Sequence, residues 1–246
     1  MPWNLFILFI VGCLAGFNNV FAGGGSSLTL PTLIFAGLDS ATANGTNRIA
    51  ILIQNIFAAA SFKKQKISGM RIAWRYGLYT LPGAIAGAFF SVKISDEWFQ
   101  RILAVVMIGI LFTLFKKKGT AQSAVDEIEN PDFRFYIYLF GLGFYGGFIQ
   151  VGIGFLLIGG LYHFLQTSLL RVNVDKIIIV LLYTIPALAI FIVAGKVDWG
   201  LGIALASGNA LGGWVGAHVQ VTHGDTLIRN FMAIAILAMA IKLFFF

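Results

Sequence analysis

Ala41–Asn55 reads ATANGTNRIAILIQN. On a helix, positions 44, 47, 48, 51, 54 and 55 share one face. Asn44, Asn47, Arg48, Gln54 and Asn55 therefore form a polar stripe that only Ile51 interrupts. Isoleucine, leucine and alanine fill the remaining faces. An unpaired charge facing lipid is expensive, so such a stripe points at protein or water. The stretch predicts a membrane helix whose polar side lines the inside of a bundle.

The surrounding chain agrees. It is 59% hydrophobic and 11% charged, with a mean hydropathy of +0.88. Soluble domains carry about 25% charged residues, so an ordinary water-facing surface cannot be built from this composition. The expected class is an all-α polytopic membrane protein in contact with the lipid bilayer. The net charge of +7 lies in short basic clusters between apolar spans, the look of cytoplasmic loops and not of a nucleic-acid-binding face. The single cysteine, Cys13, allows no intramolecular disulfide. No Cys/His cluster has zinc spacing, and no metal or cofactor is expected. No Gly-rich nucleotide-binding motif with its lysine is present, so ATP cannot drive the protein directly. The N-terminal MPWNLFILFIVGCLAGF lacks the positive start of a secretory signal, so the first span is expected to be retained.

A span needs about 20 mostly apolar residues. Eight segments qualify, at about 3–22, 41–62, 72–92, 99–115, 133–149, 172–194, 199–219 and 227–246. Two apolar pieces, 26–37 and 151–165, are too short to span alone. Each follows a weak point: AGGGSS at Ala22–Ser27 and QVGIG at Gln150–Gly154. Glycine costs about 1 kcal/mol in a helix interior, so each piece reads as a half-helix of a broken or re-entrant element.

The polar linker between Lys116 and Arg134 divides the chain into two halves, 1–115 and 134–246, with 116–133 between them. The halves resemble each other. An offset of 127 residues matches Gly16 with Gly143, Phe17 with Phe144, Phe21 with Phe148, Gly25 with Gly152 and Leu30 with Leu157. Asp175 faces Arg48 at that offset, and Lys176 faces it at 128. Residues 62–75 hold Lys63, Lys64, Lys66, Arg71 and Arg75 with no acid, which marks a cytoplasmic loop. Eight full crossings would place both termini on that side and make the halves parallel. An odd number of crossings per half would invert them. The sequence is compatible with both.

Two readings compete for Arg48. It either snorkels or pairs with Asp39 or Asp175, or it anchors an anion through its planar fork. The breaks favour the anion. A half-helix starting after Gly23–Gly25 offers free N–H groups and partial positive charge, with Ser26 and Ser27 at its first turn. Broken helices at matching positions of two repeats are the best sequence pointer to a transporter's midplane site. The candidate substrate-binding residues are Arg48, Asn44, Thr46, Asn47, Gly24, Gly25, Ser26, Ser27, Asn18, Asn19, Gln150, Asn173 and Lys176. Asp175 is the acid placed to couple a proton or ion. Gly83, Gly87, Gly212, Gly213 and Gly216 read as helix-packing positions. Asp198, Asp225 and His223 read as solvated loop residues.

The stretch GFNNVFAGGGSSLTLPTLIFAGLDSATANGTNR, from Gly16, resembles the Gly-rich opening of the sulfite exporter TauE/SafE family. The matching features are Gly23–Gly25, Pro31, and Ala43 with Gly45 and Thr46. Gly195–Ala217 resembles the family's second-half pattern, and the likeness covers most of the chain. The second break departs from it: QVGIG is poorer in glycine, and RVNVD replaces ANGTN. The resemblance implies a multi-pass transporter of the bacterial inner membrane that exports sulfite or small organosulfonates. Proton coupling, sodium coupling and uniport are all compatible with the chain, as is a homo-oligomer. The alternatives are a membrane-embedded enzyme, with Ser26 or Ser27 as nucleophile and His163 or His218 as base, and a non-transporting membrane scaffold subunit.

Overall fold

The computed structural model describes residues 2–21, 23–65, 70–115 and 132–219. Every regular element among them is a helix: α1 (Pro2–Phe21), α2 (Ser26–Phe35), α3 (Ser40–Lys64), α4 (Met70–Lys93), α5 (Asp96–Phe115), α6 (Phe133–Phe148), α7 (Ile153–Leu165), α8 (Leu169–Val193) and α9 (Trp199–Val219). Seven expected spans and both expected half-helices are present as helices. The span expected at 227–246 and linker residues 116–131 lie outside the described residues.

The starts of α5 and α8 come three residues earlier than expected, and local chemistry explains both. Asp96 and Glu97 occupy the first turn of α5, where negative charge meets the helix dipole. Ser168 caps α8, its hydroxyl accepting from the Arg171 N–H. Asp39 caps α3 in the same way, accepting from the Thr42 N–H at 3.2 Å.

Glycines set the helix pairing. Gly12 and Gly16 of α1 lie against α9, and Gly208 and Gly212 of α9 lie against α1. Gly83 and Gly87 of α4 and Gly143 and Gly147 of α6 meet in the same manner. A Cβ at any of these eight positions would fall 2.0–2.5 Å from a carbonyl oxygen of the partner helix. Close backbone approach through small residues is the usual packing mode of membrane helices. The packing role expected of Gly83, Gly87, Gly212, Gly213 and Gly216 is what the structure shows, with Gly213 resting on Gln54 and Gly216 on Phe17.

These contacts also fix direction. Later residues of α1 meet later residues of α9, and α4 and α6 pair likewise, so each pair is parallel. Helix α3 runs with α9, Thr46 lying by Gly202 and Gln54 by Gly213. Helix α8 runs against α3: Phe191 near its end, and Lys196 just beyond it, lie by Gly45 near the start of α3. Helices α1, α3 and α9 thus point one way and α4, α6 and α8 the other. Counterparts in the two halves run in opposite directions. The parallel arrangement is excluded, and with it the expectation that the N-terminus shares the Lys63–Arg75 end.

Charge is buried and large apolar side chains are exposed, unlike in a water-soluble domain. Arg48 is the largest fully buried side chain. Phe6, Leu78, Phe89, Phe90, Trp98, Val105, Ile203 and Leu211 are exposed. Leu170–Val193 is long and apolar enough to cross a membrane. The two ends of the bundle also differ. Lys63, Lys64, Arg75, Arg134 and Arg171 sit at the end where α3 finishes and α4, α6 and α8 begin. Asp39, Asp96, Glu97 and Asp198 sit at the other, with Lys93, Arg101 and Lys196.

Candidate functional site

Both broken elements turn back near the middle of the bundle, and the turns touch. A Cβ on Gly23 would lie 2.2 Å from the Gly154 Cα, and one on Gly154 would lie 2.1 Å from the Gly23 Cα. Gly23 also has φ +78°, which L side chains rarely adopt. The equivalent residue of the second break is Gln150, with φ +60°. A non-glycine residue in this region costs about 1–3 kcal/mol and persists only where its surroundings hold it.

The surroundings of Gln150 do hold it. Its side-chain oxygen accepts from Arg48 Nη1 at 3.2 Å. Its amide nitrogen donates to the Tyr183 hydroxyl and to Thr184 Oγ1, each at 3.3 Å. Arg48 also donates to the carbonyls of Gly146, at 3.0 Å, and Gly147. Asn44 donates to the Phe148 carbonyl at 2.6 Å and to Ser91 Oγ at 2.8 Å. The last carbonyls of a helix lack partners within it, and Gly146, Gly147 and Phe148 are buried. Two α3 side chains from the other half supply those partners.

The mirror arrangement exists at the first break. Lys176 of α8 donates to the carbonyls of Asn19, at 3.0 Å, and Val20, at 2.9 Å, and to Asn173 Oδ1 at 2.9 Å. Asn19 and Val20 precede Gly146 and Gly147 by 127 residues, and Arg48 precedes Lys176 by 128. The ambiguity over the counterpart of Arg48 is thereby resolved: it is Lys176. Each half's long inner helix sends a cation across to cap the other half's broken helix.

A narrow cavity lies where the breaks cross. Asn19, Ser26, Asn55, Gln150 and Lys176 form its polar wall, and Ile51, Ile153, Gly154 and Val180 the remainder. Its free space is about that of one water molecule. Ile51 and Asn55 lie at mid-length of α3, and Lys176 and Val180 along the first half of α8. Among the described residues, the N–H groups of Gly24, Gly25 and Ser26 at the start of α2 have no hydrogen-bond partner. Those groups and Lys176 bring positive potential toward the same crossing.

The sequence-derived candidates separate into groups. Asn19, Ser26, Gln150 and Lys176 line the cavity. Asn173 orients Lys176. Arg48 and Asn44 lie behind Gln150 and hold its turn. Gly24 packs against Phe155, and Gly25 packs against Ala15 and Asn19. The Ser27 hydroxyl donates to its own turn, at the Gly24 carbonyl. Asn18 is buried, and its amide nitrogen has no partner among the described residues. Asn47 accepts from Thr29 Oγ1 at 2.6 Å. Thr46 accepts from the Asp198 N–H at 2.8 Å, so its oxygen ties α3 to the start of α9. Asp198 is correspondingly not a free loop residue: its carboxylate caps α9 through the Leu201 N–H at 2.9 Å. Asp175 is paired with Arg171 at 3.0 Å and does not line the cavity.

Arg48 pairs with neither acid considered for it. Asp39 is bound to Thr42 and Lys196, and Asp175 to Arg171. Among the described residues no carboxylate lies within ion-pair distance of the Arg48 guanidinium, which stacks 4.8 Å from the Phe191 ring. The Lys196–Asp39 pair, at 3.2 Å, ties the two halves at the acidic end. Partial burial raises the Asp39 carboxyl, but hydrogen bonds from Thr42 and the nearby Lys196 outweigh it and hold it below its usual value. Asn55 belongs to the α3 stripe but was not singled out, because helical periodicity shows a shared face and not which part of it meets a cavity. Ile153 and Gly154 were legible only as part of the second break, and Val180, an apolar residue in an apolar helix, carried no signal.

The sequence model of the sulfite exporter TauE/SafE family matches residues 8–243. A probable membrane transporter protein of Haemophilus influenzae is 28% identical over 240 residues, covering 97% of this chain and 94% of that one. The probable membrane transporter protein YfcA of Escherichia coli is 29% identical over 252 residues, covering 99% and 91%. The probable membrane transporter protein YjnA of Bacillus subtilis is 27% identical over 248 residues, covering 95% of each. No solved structure matches the chain. The chain belongs to the sulfite exporter TauE/SafE family.

Proposed function

We propose that this member of the TauE/SafE family is a secondary transporter that exports sulfite or small sulfur-containing organic anions across the bacterial inner membrane. The observation that carries the reading is the buried Arg48, which has no carboxylate partner among the described residues, beside a crossing of helix breaks that Lys176 also serves. Burying a charge costs several kcal/mol, and helix carbonyls carry only about half a negative charge. An anion at the crossing supplies the remainder.

Sulfite and sulfonate oxygens suit the donors gathered there: the Lys176 ammonium, the Ser26 hydroxyl, the Asn19, Asn55 and Gln150 amides, and the first N–H groups of α2. Ile51, Ile153 and Val180 offer an apolar wall to a short organic tail. The cavity admits only water in this conformation, which fits an occluded state. Loading then requires the halves to rock apart, as inverted repeats do around a midplane site. The basic end, with Lys63, Lys64, Arg75, Arg134 and Arg171, faces the cytoplasm. Asp175 is already committed to Arg171, so coupling through it requires that pair to open.

The serine-hydrolase alternative lacks its geometry. His163 and His218 are exposed, and among the described residues no histidine lies within hydrogen-bond reach of Ser26 or Ser27.

The test is uptake of radiolabelled sulfite by proteoliposomes of the purified protein. The expected result is saturable flux that short-chain sulfonates inhibit. Flux no greater than in protein-free liposomes, with or without a proton or sodium gradient, contradicts the proposal.

A further inference from the structure

Arg48 and Lys176 are equivalent by position yet unequal in exposure to the cavity. Lys176 lines it. Arg48 is sealed from it, with Gln150 on one side and the Phe191 ring on the other. The next layer is split in the same way. Asn55 lines the cavity, while Tyr183, 128 residues later, is 1% exposed and bonded to Gln150 on the sealed side. Depth follows the same division. Arg48 stands two turns from the start of α3, at the acidic end, and Lys176 two turns from the start of α8, at the basic end. In addition, Arg48 Nε is buried and has no hydrogen-bond partner among the described residues.

We infer that Arg48 and Lys176 take turns as the cation presented to the substrate. Resting on the transporter reading, this names how its site is used. Two halves that run in opposite directions can exchange conformations. In the state described here, Lys176 lines the cavity and Arg48 is closed behind Gln150. In the exchanged state, Gln150 and Phe191 withdraw, the Arg48 guanidinium with its free Nε meets the anion, and Lys176 is closed over the end of α1. Lys176 then serves access from the basic end and Arg48 access from the acidic end. One substrate sees a cation from either side, and the other cation stays capped on helix carbonyls while it waits.

The experiment uses single cysteines that leave both cations in place. Asn55→Cys and Tyr183→Cys are made in the Cys13→Ser background, since Cys13 is the only native cysteine. Vesicles of defined orientation receive a membrane-impermeant methanethiosulfonate on one face at a time. Size-exclusion profiles confirm folded protein, and wild-type sulfite flux is measured in the same vesicles. The expected result is labelling of Asn55→Cys from the basic face only and of Tyr183→Cys from the acidic face only. Labelling of both from one face, or none at Tyr183→Cys, overturns the alternation while flux keeps the transporter. Absence of wild-type flux overturns the transporter reading and the alternation with it.

Discussion

Replacing Arg48 by alanine is expected to lower thermal stability in detergent and to reduce sulfite flux to background. The substitution removes both donors to the Gly146 and Gly147 carbonyls and the partner of the Gln150 oxygen. Each buried acceptor left unmet costs about 1–3 kcal/mol. Gln150 would lose part of what holds its left-handed backbone, so the second turn should relax. From the α3 stripe alone, the same variant would be expected to lose transport with expression intact, because the sequence shows a cation but not the helix end it caps. Arg48→Lys restores one donor to the carbonyls and should recover part of the stability. The check is a melting curve by fluorescence-detected size exclusion, with flux measured alongside. A wild-type melting temperature for Arg48→Ala would show that the cap is not structural.

Gly154→Val should be at least as severe. Its Cβ would occupy space only about 2.1 Å from the Gly23 Cα, and what lies there is backbone that no rotamer change can clear. Overpacking a well-packed site typically costs about 1–3 kcal/mol, and here it also forces the two breaks apart. Loss of a monodisperse peak is expected, or a folded protein without flux. Gly159→Ala on the same helix is the control, because nothing lies within 4 Å of its added Cβ. If Gly154→Val behaves like Gly159→Ala, the breaks do not touch in the working protein.

Much of this architecture was legible in the sequence, for identifiable reasons. Apolar runs of spanning length and two glycine-rich interruptions are strong signals, and α1 to α9 fall where those signals placed them. The α3 stripe was readable because helical periodicity sorts polar from apolar faces, and Asn44, Asn47, Arg48, Gln54 and Asn55 are all buried. Direction was not readable. Charge near loops ranks the sides of a membrane, but a half-helix that turns back adds no crossing, and only the contacts of α1 with α9 and of α4 with α6 reveal the inversion. Roles within the stripe were not readable either. Arg48, Thr46 and Asn44 were readable as candidate ligands, but their partners in this conformation, Gly146, Asp198 and Phe148, are remote in sequence. Lys176 was a candidate from its place in the repeat, but the helix end that it caps was not readable. Its importance appears only once the end of α1 is seen beneath it.

The most direct test of an anion site at the crossing is sulfite flux through Lys176→Gln beside wild type and Lys176→Arg. Glutamine retains a donor for the Asn19 or Val20 carbonyl and removes the charge, so the fold is expected to survive. The expected result is a monodisperse Lys176→Gln protein with flux reduced about 100-fold or more, and measurable flux in Lys176→Arg. A loss of that size corresponds to about 2.7 kcal/mol of lost anion stabilisation. Flux in Lys176→Gln equal to wild type, from folded protein, would contradict the central claim and place the anion away from the crossing of the two breaks.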